Sequence, residues 1–192
     1  MAAEDWSAWA PQLRNVEKLL RYRRCGAVRQ LMQGADPLLV CSARDPQNEL
    51  LYVYFLKENK VGVKTLRRLH AECAAAGCGR VLLVTEDGLT PFAAKELEES
   101  GRGARPAVEV FRRRELAFCV VEHCLVPPHE QLEPAERRAL LQQPGFKPGT
   151  LPRLRAADPV ARFMGFQPGA VVRIRRAVGT SDGELYYRIV VA

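Results

Sequence analysis

The first part of the chain opens on an apolar pattern with helical spacing and continues into extended runs. Large apolar residues recur at steps of three and four, which predicts an amphipathic helix whose buried face carries Trp6, Trp9, Leu13, Val16 and Leu20. Leu51–Phe55 is rich in aromatic and β-branched residues. It predicts a strand that pairs with Leu38–Ser42 across a turn at Asp45–Asn48.

Helical and extended segments then alternate. Lys64–Ala76 has one apolar face and ends at glycines, and Val81–Thr85 is an uninterrupted apolar run of the kind found in buried strands. Thr90-Pro91 supplies an N-cap and a first-turn proline for a helix that runs to about Glu99. Further strands are predicted at Val108–Phe111 and Leu116–Glu122. This alternation favours an α/β sheet with helices on its faces.

The composition changes after this region, because eight of the 13 prolines lie between Pro127 and Pro168. We therefore place a domain boundary there and predict domains at 1–121 and 122–192. Short helices are predicted at Pro134–Leu141 and Pro159–Met164. Two strands follow at Ala170–Ile174 and Leu185–Val191, joined by a turn at Gly179–Gly183. One apolar sheet layer is predicted to contain Val171, Ile174, Leu185, Ile189 and Val191.

The formal net charge is +7, which favours an anionic partner such as nucleic acid. The basic residues are spread along the chain and form no block of five or six, so solvated helix faces explain the charge equally well. None of the apolar runs approaches the roughly 20 residues that a membrane helix needs, which indicates a soluble protein.

Candidate chemistry is sparse. The six cysteines include no Cys-x-x-Cys pair, so buried reduced thiols are favoured over zinc, and neither a metal nor a cofactor is predicted. Glu58-x-Lys60 fits a short pattern of metal-dependent nucleases, in which a carboxylate holds the metal and a lysine steadies the attacking water. A second carboxylate is needed, but Glu49 and Asp45 are poorly placed along the chain to supply it. A charged hairpin loop is the simpler interpretation.

A dense motif occupies Leu151–Arg188. Its positions, in order, are Leu151, Pro152, Arg153, Asp158, Pro159, Val160, Ala161, Arg162, Gly165, Gly169, Val171, Val172, Ile174, Arg176, Tyr187 and Arg188. The motif strongly resembles the fifth subunit of eukaryotic nuclear RNA polymerases, whose C-terminal domain corresponds to a small subunit of the archaeal polymerase. His123–His129 resembles the start of that domain, and Lys60–Thr65 with Gly88–Ala93 resembles the N-terminal jaw of the family. The chain departs from the family pattern at Gln167, Arg175 and Val178–Asp182.

The resemblance implies a non-catalytic structural subunit of a DNA-dependent RNA polymerase, without a cofactor. The α/β domain at 1–121 would be a jaw with a restriction-endonuclease-like sheet, lying along downstream duplex DNA without reading its sequence. The small α+β domain at 122–192 would be an assembly domain that docks on the largest subunit, near other small subunits. The expected location is the nucleus, or a viral particle or factory if the chain is virally encoded.

Within the jaw, Lys64, Lys95 and the helix start at Thr90-Pro91 are the DNA-facing candidates, because lysines and helix N-termini suit phosphate contacts. A helix cap with solvated lysines is the alternative interpretation. Two other function classes remain beside the polymerase subunit. The first is a free-standing DNA-binding or transcription-regulatory protein, and the second is the metal-dependent nuclease.

Overall fold

The computed structural model describes residues 7–26, 28–33, 38–99, 106–178 and 181–192, with the backbone alone at 30–33, 38–41, 177–178 and 181–183. The chain divides into two compact units, Met1–Phe118 and Cys119–Ala192. Among the described helices, none combines the length and the apolar character needed to cross a membrane.

The first unit is built on a five-stranded mixed sheet with strand order β1-β2-β3-β4-β5. The strands are β1 Arg29–Gln33, β2 Leu38–Arg44, β3 Leu50–Leu56, β4 Cys78–Thr85 and β5 Ala107–Arg112. Strands β1 to β3 run antiparallel, and β3, β4 and β5 run parallel. The predicted pairing of Leu38–Ser42 with Leu51–Phe55 is confirmed, since Leu38 lies opposite Phe55 and Ser42 opposite Tyr52.

Helices cover both faces of this sheet. They are α1 Ala10–Tyr22, α2 Val63–Ala75 and α3 Pro91–Glu99. Because α2 and α3 each connect neighbouring parallel strands, right-handed crossovers bring both to one face, where Leu69 and Ala93 pack in the same cluster as Tyr54. The next residue, Phe55, points to the opposite face and lies 5.5 Å from the ring of Trp9, just before α1.

The prediction of a strand at Leu116–Glu122 is wrong. The segment instead forms two 3-10 turns, Arg113–Leu116 and Val120–Glu122. The backbone N–H groups of Glu122 and His123 donate to carbonyls three residues earlier, at 3.1 and 3.3 Å. The apolar run satisfies its backbone locally, and Leu116 is buried beneath α1, where Asn15 Nδ2 donates to its carbonyl at 2.8 Å.

The second unit contains a four-stranded sheet with strand order β6-β8-β9-β7. Its elements are β6 His129–Gln131, α4 Pro134–Gln142, β7 Arg153–Arg155, α5 Pro159–Met164, β8 Val171–Val178 and β9 Ser181–Val191. Strand β9 is antiparallel to β8 and parallel to β7. The predicted turn at Gly179–Gly183 is wrong in its second half, since β9 begins at Ser181; Gly179 and Thr180 lie outside the described residues.

Both faces of this sheet are covered. Val172, Ile174 and Val190 pack with α5, whereas Val171, with Ile189 against it, packs in the cluster that contains Leu140 of α4. The predicted single apolar layer is therefore wrong. Val171 and Ile174 belong to opposite faces, because residues at odd and even positions of a strand point to opposite sides.

Candidate assembly surface and nucleic-acid interface

The centre of the motif is the capped helix α5. Asp158 Oδ1 accepts from the backbone N–H of Val160 at 2.8 Å and of Ala161 at 3.3 Å, and Pro159 is the first helical residue. Gly165 ends the helix in the left-handed region at φ 73°. Start, first residue and end of α5 thus agree with the sequence prediction.

Much of the motif forms the interior of the second unit. Its buried members are Leu151, Val160, Ala161, Val171, Val172 and Ile174. Gly169 adopts φ 88°, a conformation that other residues rarely reach, and its N–H donates to the carbonyl of Val190 at 2.8 Å. Tyr187 is half-buried and lies edge-on to Phe146 at 5.6 Å. The side chains of these residues therefore act mainly in the packing of the second unit.

The arginines of the β8–β9 region fall into two groups. Arg173 is tied internally, with Nη2 at 2.7 Å from Glu130 and Nη1 at 3.4 Å from Glu136. Arg153 and Arg176 are exposed, and no carboxylate of the described residues pairs with them or with Arg188. The second group is available to a partner.

Two contacts organise this second group. The guanidinium of Arg176 lies 4.9 Å from the ring centre of Tyr186, and Arg188 Nη1 donates to the carbonyl of Arg153 at 3.4 Å. Arg162 is half-buried on α5. Sequence reasoning missed Tyr186, although strand alternation beside Tyr187 places it on the opposite face, next to Arg176. The exposed guanidinium of Arg176 over the Tyr186 ring suits contact with an anionic protein surface.

In the first unit, the loops after β3 and β4 are joined, and this places two helix starts side by side. The N–H of Val61 donates to the carbonyl of Gly88 at 2.9 Å, and the N–H of Thr90 donates to the carbonyl of Val61 at 3.0 Å. Thr90 Oγ1 accepts from the N–H of Ala93 at 3.3 Å and caps α3, which Pro91 begins. The starts of α2 and α3 therefore meet at the carboxyl edge of the parallel strands.

The two candidate lysines differ at this edge. Lys64 is exposed in the first turn of α2 and has no acidic partner among the described side chains. Lys95 is exposed on α3 but lies 3.6 Å from Glu99. Lys60, in the joining loop, lies 3.9 Å from Asp87. The positive charge of Lys60 and Lys95 is thus partly neutralised, whereas no described acid pairs with Lys64.

The nuclease pattern is not assembled into a metal site. Glu58 accepts from the hydroxyl of Thr65 at 2.9 Å. Asp45 lies before β3 and accepts from the N–H groups of Gln47 and Glu49, so it is separated from Glu58 by the length of β3, roughly 20 Å for seven extended residues. Across the described residues, no three His, Cys, Asp or Glu side chains are grouped so that they could hold a metal ion.

The cysteines whose side chains are described are free thiols, of which Cys73, Cys78 and Cys119 are buried and Cys124 is exposed. A hydrogen bond with Cys78, together with burial, raises the pKa of Cys73 far above its usual value. Burial also raises the pKa of Cys25. Cys73 and Cys78 are packing residues of the first unit, and Cys119 is buried in the second.

The class of protein follows from the second unit. Residues 118–190 match the family model described as RNA polymerase Rpb5, C-terminal domain, and this range contains every position of the Leu151–Arg188 motif.

Relatives extend the match into the first unit. The chain is 32% identical over 154 residues to proteins of Caenorhabditis briggsae and Caenorhabditis elegans, covering 80% of this chain and 72% of each of them. It is also 32% identical over 153 residues to a Dictyostelium discoideum protein, covering 80% of this chain and 78% of that one. All three are named DNA-directed RNA polymerases I, II, and III subunit RPABC1. The chain belongs to this Rpb5 family of RNA polymerase subunits.

Proposed function

We propose that the chain acts as a non-catalytic structural subunit of a nuclear DNA-directed RNA polymerase. The observation that carries this proposal is the similarity to polymerase subunits over 80% of the chain, which includes both structural units. A nuclear location follows from the same proposal.

The second unit would be the docking module, with the largest polymerase subunit as its partner. The unit spans Cys119–Ala192 and has two short helices over one sheet, so its own core is small. Exposed Arg153 and Arg176, together with half-buried Arg188, supply charge that no described acid neutralises. Such a unit gains stability when a partner with acidic groups covers it.

The first unit would be the jaw that lies along downstream duplex DNA. A mixed sheet with helices on both faces is consistent with the restriction-endonuclease-like fold expected of it. The adjacent starts of α2 and α3 present backbone N–H groups and positive dipole ends, with Lys64 beside them. These groups contact phosphates and cannot read bases, so the DNA contact is sequence-independent.

Affinity purification of the tagged chain from its native cells tests the subunit proposal. Co-purification with the two large polymerase subunits after a wash of high ionic strength is expected. Recovery of the chain alone, or with a different protein complex, would contradict the proposal and favour a free-standing transcription-regulatory protein.

The DNA contact is tested on polymerase assembled with Lys64→Ala, with Lys147→Ala in the second unit as the matched control. Loss of one phosphate contact lowers the slope of log affinity against log salt by about 0.9 for duplex DNA. We expect this change for Lys64→Ala and a smaller one for Lys95→Ala, because Lys95 is already paired. Equal slopes for Lys64→Ala and the control would refute the contact.

A further inference from the structure

Strand β9 is much longer than the strand beside it. It spans 11 residues, Ser181–Val191, whereas β7 covers its outer edge only at Ile189–Val191. Residues of β9 before Ile189 therefore have β8 on one side and none of the described strands on the other.

The direction of the backbone groups shows which ones are left open. The N–H of Ile189 donates outward to the carbonyl of Pro152 at 2.9 Å, and the carbonyl of Val191 accepts outward from Ala156 at 2.7 Å. Because alternate residues of a strand bond to opposite edges, the N–H and C=O groups of Leu185 and Tyr187 also point outward. Within the described structure, neither residue has a hydrogen-bond partner on that side.

Pro152 explains why the pairing stops where it does. Continuing the parallel ladder by two residues would place the N–H of residue 152 opposite the carbonyl of Tyr187, but proline has no N–H. The motif residue Pro152 thus ends the contact between β7 and β9 and leaves the edge of β9 open.

The outer edge of β8 is occupied over the corresponding stretch. Leu132 donates to the carbonyl of Val171 at 2.9 Å, and Arg175 donates to the carbonyl of Pro128 at 3.1 Å, on either side of the β6 pairing. The unpaired edge of the sheet therefore lies on β9, at Leu185–Tyr187, and not on β8. An unpaired strand edge is a template for another chain unless it is shielded.

The side chains around this edge define the chemistry of its occupant. Leu185 is 47% exposed and Tyr186 39% exposed, one on each face of the strand. Arg153 and Arg188 flank the edge with no acidic partner among the described side chains, and the carboxylate of Glu184 is already engaged by the hydroxyl of Tyr186. An extended segment with apolar and acidic residues would satisfy both the backbone groups and the arginines.

We propose that the edge of β9 at Leu185–Tyr187 receives an extended, acidic segment of a partner polymerase subunit as an added β-strand. This inference rests on the proposed function and specifies how the docking module holds its partner. Backbone hydrogen bonds give the attachment, and Arg153 and Arg188 favour an acidic sequence.

Amide hydrogen exchange measures the edge directly, on the free full-length chain and on the chain assembled into purified polymerase. The amides of Leu185 and Tyr187 are expected to exchange rapidly in the free chain and about a hundredfold or more slowly in the complex, since a bonded amide exchanges only through opening. If the chain is incorporated into the polymerase but these amides do not exchange more slowly, the added strand is refuted and the subunit proposal stands. Failure of the chain to incorporate would overturn both.

A matched pair of variants separates the backbone bond from the side chain. Leu185→Pro removes an N–H that has no partner among the described residues, whereas Leu185→Ala keeps it. In competition with the wild-type chain, we expect Leu185→Pro to incorporate at least about tenfold less than Leu185→Ala. Exchange rates across α5 of each free variant check its fold. Equal incorporation of two folded variants would refute the proposal.

Charge reversal tests the acidic character of the segment. Arg153→Glu with Arg188→Glu is expected to reduce incorporation, whereas Arg137→Glu with Arg138→Glu on the exposed side of α4 is expected to leave it unchanged. Equal effects of the two pairs would contradict the assignment. The assignment would also be contradicted if a second copy of the free chain, or DNA alone, slowed amide exchange at Leu185 and Tyr187.

Discussion

Replacing Asp158 with Ala removes the side-chain cap of α5 and tests how far one motif residue supports the second unit. Its Oδ1 satisfies two backbone amides, those of Val160 and Ala161. Helix α5 has only six residues, so few other contacts can compensate for a frayed first turn.

The expected loss can be estimated from these contacts. Removing an N-cap costs about 0.5–2 kcal/mol, and a carboxylate near a helix start contributes a further 0.3–1 kcal/mol or so. Because both amides lose their acceptor and the capped residues Val160 and Ala161 are buried, we expect a value near the upper end, about 2 kcal/mol. Asp158→Asn retains the acceptor and loses only the charge, so its cost should stay below about 1 kcal/mol.

The assay must report on the second unit alone. Trp9 is buried in the first unit, so tryptophan fluorescence follows that unit and serves as an internal reference with an unchanged urea midpoint. Amide exchange across Pro159–Gly165 in increasing urea gives the opening free energy of α5. A loss below about 0.3 kcal/mol for Asp158→Ala, or equal losses for Ala and Asn, would refute the assignment of the cap.

Three further predictions follow from single contacts. Glu109→Gln should destabilise the first unit by about 2 kcal/mol in urea unfolding, because the Arg23 side chain is only 7% exposed and pairs with Glu109 at 2.8 Å; a loss under about 0.5 kcal/mol would show that the pair is not needed. Gly165→Ala should cost roughly 1–2 kcal/mol, since φ is 73° there, and an unchanged opening free energy of α5 would contradict the left-handed cap. In iodoacetamide labelling followed by mass spectrometry, Cys124 should react first and Cys25 later. Burial raises the pKa of the Cys25 thiol, so the thiolate forms at higher pH than in an ordinary thiol. The labelling rate of Cys25 should therefore still increase at pH values where the rate of an ordinary thiol is constant. A labelling rate of Cys25 that does not change with pH would contradict this.

The parts of the fold that the sequence predicted well are those specified by local signals. Helix α5 is an example, because Asp158, Pro159 and Gly165 fix its first and last residues through neighbouring backbone groups. The parallel core strand β4 was also identified, since a continuous apolar run is typical of a strand covered on both faces.

Errors arose where pairing depends on distant residues. The three-residue strands β6 and β7 have no periodicity of their own and exist only through β8 and β9. Leu116–Glu122 has the composition of a strand, but its backbone groups are satisfied within 3-10 turns. Amino-acid composition cannot distinguish a paired strand from a 3-10 turn here, because neither structure depends on the local side chains alone.

The candidate surface was predictable only in part. The motif includes Arg153, Arg176 and Arg188, but only the structure shows that the neighbouring Arg173 is held by acidic partners from β6 and α4. The open edge at Leu185–Tyr187 depends on where β7 stops against β9, which is a matter of register. In the first unit, the joined loops that bring Thr90 near the start of α2 likewise required the structure.

The central claim is that the chain is an integral polymerase subunit, and size-exclusion chromatography of transcriptionally active polymerase tests this most directly. Quantitative mass spectrometry across the activity peak, after a wash of high ionic strength, gives the ratio of the chain to the largest subunit. An integral subunit is expected to show a constant ratio in every fraction that transcribes. Full activity in fractions that lack the chain, with no related subunit in its place, would contradict the claim.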